Sequence, residues 1–334
     1  MTGPVTRETA YWQAVNAALE DQLAADPDVV FFGEDVGRPG GIFGVTRNLQ
    51  RKFGAERVWD TPISEAALVG CALGASLRGL RPVVELMFID FSLVAADQII
   101  NHVAKMPYLS GLPVPLTIRT QQGMAPGSSA QHSQSLEAIF AHAAGLQIYL
   151  PACASDAYWL LTHAIREDEP VLVIENRLLY KETGPIGAAS EDTRPGRARV
   201  LTPGTDLTIV SWSAAVLKAV ALAEALADRG LFAEVIDLRT LVPLDRETVL
   251  ASARSTGHLV VLHDATQFGG FGAELAAQIA EAATPAQPVL VQRFGAASTP
   301  VPAAPGLQRR HHLTVEQIAQ AIAARRADCG RAAR

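Results

Sequence analysis

The sequence predicts an α/β protein of two domains, each built on a mostly parallel sheet with helices on both faces. Three observations predict it. Short apolar runs of strand character alternate with helix-length runs along the whole chain. Apolar strands set between helices are the pattern of a parallel sheet covered on both sides. The alternation halts once, over 181–206, where Gly, Pro, Ser and charged residues follow one another without periodicity, and then it resumes.

In chain order, Thr6 is placed to cap a first helix that carries Tyr11, Val15, Leu19 and Leu23 at four-residue spacing and stops at Pro27. VVFFGED (29–35) reads as a strand, and Ser64 is placed to cap a helix that opens with Glu65. RPVVELMFIDF (81–91) reads as a strand and 92–106 as a helix. VPLTIRT (114–120), GLQIYLP (145–151) and EPVLVIEN (169–176) are further strands, with a helix at 155–167. Beyond the break, strands at 206–213, 231–239, 257–265 and 288–295 alternate with helices at 214–229, 245–254, 271–283 and 314–327. The expected division is therefore a first domain over 1–180, a linker over 181–206 and a second domain over 207–334.

A chain of 334 residues is long enough for two sizeable cores, and its 49% hydrophobic and 19% charged content is that of a folded protein. A net charge of −6 without runs of like charge argues against a nucleic-acid partner. No apolar run reaches the ~18 residues of a membrane span. The first residues lack the apolar core of a signal peptide, and Cys71, Cys153 and Cys329 are far apart and outside metal-ligand spacing. The expected location is cytoplasmic. FGGFGAELAAQIA (268–280) departs from the dinucleotide pattern at Leu275, which disfavours a nicotinamide enzyme.

Open α/β sheets bind ligands outside the carboxyl ends of their strands. Four loops there carry unusual residues: 33–35, 61–65, 85–91 and 121–135. Glu65 is either a first-turn acid that favours the helix dipole or a charge required by something outside its own segment. Gly70, Gly74 and Gly79 each cost roughly 1 kcal/mol relative to Ala inside a helix. That cost points to close packing on another backbone, with Glu65 in a poorly solvated place. A carboxylate there must be paired, hydrogen-bonded or protonated. His132 is either a solvated loop residue or a site residue, and Glu34 and Asp35 are either turn residues or part of a site.

GEDVG, DTPISE, GLRPVVELMFIDF, AQHSQS, IENRLLY, IDLRTLVPLD and HDATQFGGFGAEL occur in this order. Together they resemble the beta subunit of the thiamin diphosphate-dependent decarboxylating component of 2-oxo acid dehydrogenase complexes, a family with pyruvate, branched-chain and acetoin members. The resemblance implies a transketolase-like pyrimidine-binding domain followed by a transketolase C-terminal-type α/β domain. It implies that Glu65 hydrogen-bonds N1′ of the cofactor's aminopyrimidine and favours the tautomer that takes the proton from thiazolium C2. Met87 and Phe91, read as lying on one strand, match residues that pack on that ring, Phe91 by stacking. His132 matches an active-site histidine that orients the substrate and assists acyl transfer to lipoamide. Glu34 and Asp97 match acids lining a polar path between paired active sites. Some relatives hold a K⁺ ion where this chain has Leu116, Thr117, Ala164, Glu167 and Glu169, the last two replacing Asp and Asn.

No G-D-G motif occurs in the chain. The resemblance therefore implies that Mg²⁺ and the diphosphate half of the site belong to an alpha subunit, in an α2β2 heterotetramer that is inactive as the lone beta chain. It also implies docking on a lipoyl acyltransferase core through acids of the second domain. Here Arg309, Arg310, His311, His312, Arg325, Arg326, Arg331 and Arg334 reverse that charge. The substrate stays open between a 2-oxo acid and acetoin. Two other functions stay open: an acyloin or ketol transferase without a lipoyl partner, and a non-catalytic scaffold for the alpha chain.

Overall fold

The computed structural model describes residues 8–332 and divides into two compact units. The first comprises the chain up to Ala125, Gln131–Arg197 and Arg239–Pro243; the second comprises Pro126–Ala130, Ala198–Leu238 and the chain from Leu244. In the first lie β1 (Glu8–Ala10), α1 (Tyr11–Ala25), β2 (Val29–Gly33), α2 (Leu49–Phe53), β3 (Val58–Asp60), α3 (Glu65–Ser76) and β4 (Arg81–Leu86). They are followed by α4 (Met106–Ser110), β5 (Thr117–Gln122), α5 (Glu137–Ala141), β6 (Gln147–Tyr149), α6 (Ala154–Arg166), β7 (Val171–Asn176) and β8 (Thr183–Pro185). The second unit holds β9 (Arg199–Thr202), β10 (Leu207–Ser211), α7 (Ala215–Ala227) and β11 (Ala233–Asp237). The chain then returns to the first unit for β12 (Thr240–Val242). It finishes in the second with α8 (Arg246–Thr256), β13 (His258–Thr266), α9 (Gly272–Ala282), β14 (Leu290–Ala296), α10 (Pro305–His311) and α11 (Val315–Ala332).

The first sheet has the order β12-β6-β7-β5-β4-β2-β3, parallel except for β12. β2, β5 and β7 are buried along their whole length. The chain leaves β2 for β3 on one side and then crosses to β4 on the other, so the strand order reverses at β2. A crevice opens at the carboxyl ends there, where parallel sheets place ligands. Gly33 ends β2 in this crevice, and a Cβ on it would lie 2.6 Å from the Glu85 carbonyl oxygen. Only glycine lets β2 and β4 approach so closely.

The structure departs from the sequence reading at several elements. Thr6 lies outside the described residues, and α1 starts at Tyr11, directly after β1, which pairs with β8. The run 81–91 is a strand only to Leu86; Ile89–Leu93 is a 3₁₀ turn, so Met87 and Phe91 do not share a pleated face. The helix expected over 92–106 is instead a π-helix at Gln98–Val103 followed by α4. Pro107 lacks the N–H and clashes with a preceding turn, so it forces a new helix start. The segment 181–206 carries β8 and also β9, which joins the second sheet antiparallel to β11. Gly70 and Gly74 are not packed on a backbone of this chain: a Cβ at Gly74 would meet nothing within 4 Å, and one at Gly70 only Gln98 at 4.0 Å.

The second sheet has the order β14-β13-β10-β11-β9. Its core joins Leu207, Ile209, Leu222, Val235, Val260 and Ile322. His258 and His263 are buried in β13, and burial pushes the pKa of each down to about 4. The fold thus favours neutral imidazoles. Their stabilising effect is complete above the unfolded value near 6.5 and is lost as pH falls from there to about 4, by on the order of 3 kcal/mol per histidine. Melting curves across this range are expected to show a falling apparent Tm, flattened in His258→Asn and His263→Asn variants. Of the basic residues near the end of the chain, Arg309, Arg310 and Arg325 are exposed, whereas His311 is buried and Arg326 bonds the carbonyl of Asp206.

Candidate active site

The crevice between β2 and β4 gathers acids. Glu34 follows β2, Glu65 opens α3 just after β3, and Glu85 lies in β4. Glu34 and Glu65 are each only 8% exposed. Burial, reinforced by Glu65, Asp35 and Glu85, pushes the Glu34 carboxyl above its usual range, and its Oε1 is buried without a hydrogen-bond partner. Glu65 has no ion pair and no hydrogen bond to its carboxylate among the described residues. Ser64 occupies the cap position, yet its side chain makes no capping bond. Two adjacent buried carboxylates without a cation are costly, so a helix-dipole role alone does not account for Glu65. The pair suits a ligand that presents a hydrogen-bond donor or a basic ring nitrogen.

Behind these acids lies a buried ion network that the sequence reading did not include. Arg119, wholly buried in the centre of β5, bonds Glu85 on one side. On the other it grips Glu175 through Nε–Oε1 at 2.8 Å and Nη2–Oε2 at 2.9 Å. The Tyr180 hydroxyl donates to Glu175 Oε2 at 2.8 Å. Burial raises the pKa of Glu85 even though Arg119 opposes the shift. The signal was present in the sequence: three strand segments each carry a charged residue within them, in VVELMF, TIRTQQ and LVIEN. Register then pairs Glu85 with Arg119.

A second group surrounds His132. Its imidazole meets the rings of Phe88 and Phe91 edge-on, with centroids 4.9 Å and 5.4 Å away. Phe88 also packs against Phe43, which in turn meets Tyr180. Arg177 lies over the Phe88 ring at 4.9 Å and donates to the carbonyls of Gly123 and His132. Asp90 accepts from the Gln134 side chain at 2.8 Å. Met87 and Phe91 are half-buried at the end of β4 and in the turn after it. Asp97 stands apart from the acid cluster: it is exposed, bonded to Asn101 at 2.8 Å and next to His102 at 3.5 Å.

The positions expected to hold K⁺ lie at the start of β5 and around the end of α6. Arg81 donates to the carbonyls of Ile165, Arg166 and Glu167, and its Nη1 pairs with Asp168 at 2.9 Å. The Leu116 carbonyl accepts from the Val171 N–H. Thr117 is buried in β5, Ala164 in α6, and Glu169 lies in the loop before β7. Arg81 thus offsets part of the negative charge of 167–169, while burial, Glu169 and Asp168 still push the Glu167 carboxyl above its usual range.

Residues 7–183 match the transketolase pyrimidine-binding domain, and residues 196–318 match the transketolase C-terminal domain. The chain is 40% identical to the pyruvate dehydrogenase E1 component subunit beta-2 of Oryza sativa, an alignment covering 98% of this chain and 88% of that one. The chain belongs to the E1 beta-subunit family of 2-oxo acid dehydrogenases. Within that family it is 38% identical to the acetoin:2,6-dichlorophenolindophenol oxidoreductase subunit beta of Cupriavidus necator, over 95% of this chain and 97% of that one. It is 40% identical to the 3-methyl-2-oxobutanoate dehydrogenase subunit beta of Mycobacterium tuberculosis, over 83% and 80%. A solved split-gene transketolase, described as an inactive beta4 tetramer, superposes with a TM-score of 0.76 at 26% identity, covering 94% of this E1 beta-type chain and 96% of that chain. Relatives with three different substrate names stand at near-equal identity to this chain.

Proposed function

We propose that this chain is the beta subunit of a thiamin diphosphate-dependent 2-oxo acid dehydrogenase and supplies the aminopyrimidine half of the cofactor site. The observation that carries the reading is Glu65: a buried carboxylate at a helix start, beside a second buried acid, in the reversal crevice of a parallel sheet. Such a group fits a basic ring nitrogen of the cofactor. When bound, thiamin diphosphate supplies the electron sink for loss of CO₂ from a 2-oxo acid. Glu65 would hydrogen-bond that ring nitrogen and help the ring take up the proton of the reactive carbon. Glu34, whose carboxyl burial pushes above its usual range, lies beside it on a polar path. Phe91 and Met87 give the ring an apolar wall, and His132 orients the substrate and the acyl acceptor. The small-molecule substrate is a 2-oxo acid. The acetoin oxidoreductase relative, matched over nearly all of both chains, keeps acetoin as the second candidate.

Mg²⁺ and the diphosphate belong, in this reading, to an alpha subunit in an α2β2 assembly, and no step here is assigned to a monovalent cation. The surface supports assembly. Ala67, Gly70, Cys71 and Gly74 form an exposed strip of small residues on α3, flanked by a cavity of about 490 Å³ lined by Phe32, Trp59, Pro62 and Leu68. Ile63 and Tyr108 are 81% and 92% exposed. Apolar surface of this kind is covered in the functional molecule. Without an alpha subunit the isolated chain is expected to self-associate in sedimentation velocity, and a strict monomer at high concentration would contradict the assembly.

The test of the reading is co-expression with an alpha-type chain, followed by decarboxylation assays with pyruvate, 3-methyl-2-oxobutanoate and acetoin using an artificial electron acceptor. Activity on one of them names the substrate. A cofactor-binding complex inactive on all three would favour an acyloin or ketol transferase instead. Unchanged activity in a Glu65→Ala complex would support the scaffold.

A further inference from the structure

The loop over 123–135, between β5 and α5, is rich in Gly, Ser and Ala and has no strand or helix of its own. Such loops sample many conformations unless specific bonds restrain them. Yet this one must present His132 in one orientation. We propose that Arg177 is a positioning residue for His132, acting as a clasp that closes the base of this loop. The proposal rests on the reading of His132 as a site residue.

A single guanidinium nitrogen, Nη2, donates to two carbonyls, those of Gly123 and His132. Gly123 is where the loop leaves β5, and His132 is where it turns back towards α5, so one side chain ties both ends together. The clasp is itself anchored. Arg177 follows directly after β7, in a 3₁₀ turn whose cap is the Asn176 side chain, accepting from the Leu178 N–H at 3.1 Å. β7 and β5 are neighbours, with Asn176 opposite Gln122. Gly123 has φ +107°, and a Cβ there would lie 2.3 Å from Asn176 Oδ1, so Asn176 and Gly123 are packed as tightly as backbone allows.

The same guanidinium plane lies over Phe88, the ring against which the His132 imidazole packs edge-on. Arg177 therefore holds the His132 backbone oxygen and packs on the ring that its imidazole meets. Asp90 completes the hold by accepting from the Gln134 side chain, two residues further on. Arg177 is half-buried with Nε wholly enclosed, and burial lowers its pKa while Asp90 and Tyr180 act against the shift. Both protons of Nη2 are committed to the loop. A lysine keeps the charge but lacks the planar fork that bridges two acceptors while stacking on an aromatic face.

The experiment uses the co-expressed αβ complex with thiamin diphosphate and Mg²⁺, comparing Arg177→Met, Arg177→Lys, His132→Ala and the Arg177→Met/His132→Ala double variant. Amide hydrogen exchange over 123–135 is read together with kcat and KM for whichever of the three substrates the native complex turns over. Arg177→Met is expected to speed loop exchange about tenfold or more and to lower kcat by about ten- to a hundredfold, the scale of a misplaced catalytic group, with KM little changed. Arg177→Lys recovers part of both effects. The double variant is no slower than His132→Ala alone, because a residue acting through another adds nothing once that other is gone. Unchanged loop exchange in Arg177→Met, or losses that multiply in the double variant, would overturn the proposal. If Arg177→Met does not assemble, the loop exchange of Arg177→Lys decides on its own. Full activity in His132→Ala with a loosened loop in Arg177→Met would leave the clasp standing and remove the catalytic reading of His132.

Discussion

Glu65→Gln in the αβ complex is expected to lower kcat by about 10²- to 10⁴-fold, the range associated with loss of a positioned acid–base group. Glutamine preserves shape and burial at the start of α3 but has no proton to give or take. It also removes one of two neighbouring buried carboxylates, and Glu65 adds to burial in raising the pKa of Glu34. The complex should therefore melt at an unchanged or slightly higher temperature while losing its chemistry, the usual trade at a strained functional site. A parallel loss of Tm and kcat would instead assign Glu65 a structural role. The comparison needs only a thermal melt and a steady-state assay on the same preparation.

The second large effect belongs to Arg119. Replacing it with Met leaves Glu85 and Glu175 buried and facing each other without a cation, and removing one partner of a buried pair typically costs about 3–5 kcal/mol. Denaturant unfolding of Arg119→Met should show that loss, or the soluble yield should collapse. Glu85→Gln is expected to be far milder, because the two bonds from Arg119 to Glu175 survive it. The contrast separates a network held together by its cation from one in which each residue contributes equally.

The alternation of strands and helices was legible because burial on both faces leaves an unambiguous apolar run, as in β2 and β7. Glu65 was legible as a helix start for the same local reason, since Ser64 and a run of small residues mark the boundary. Short edge elements were not. β3 and β12 have three residues each, and their place is set by pairing with β2 and β6 rather than by their own pattern. Met87 and Phe91 were misread as a continuous strand because nothing in FIDF announces a 3₁₀ turn. The Ser92 hydroxyl, bonded back to the Ile89 carbonyl at 2.5 Å, competes with regular structure there. Arg177 in IENRLLY has no sequence signature of its role, because its partners are backbone oxygens 54 and 45 residues away. Carbonyl acceptors leave no trace in side-chain identity. The open glycines of α3 point the same way: nothing in this fold packs on Gly74, and only Gln98 approaches Gly70, so their helix cost is not explained by packing within the chain.

The central claim is that Glu65 promotes proton removal at the cofactor's reactive carbon. The most direct measurement is the rate of hydrogen–deuterium exchange at C2 of thiamin diphosphate bound to the αβ complex, by rapid quench and proton NMR, in native and Glu65→Gln forms at equal cofactor occupancy. Fast exchange is expected in the native complex, and exchange slowed by about two orders of magnitude or more in Glu65→Gln. Equal rates in the two forms would contradict the claim.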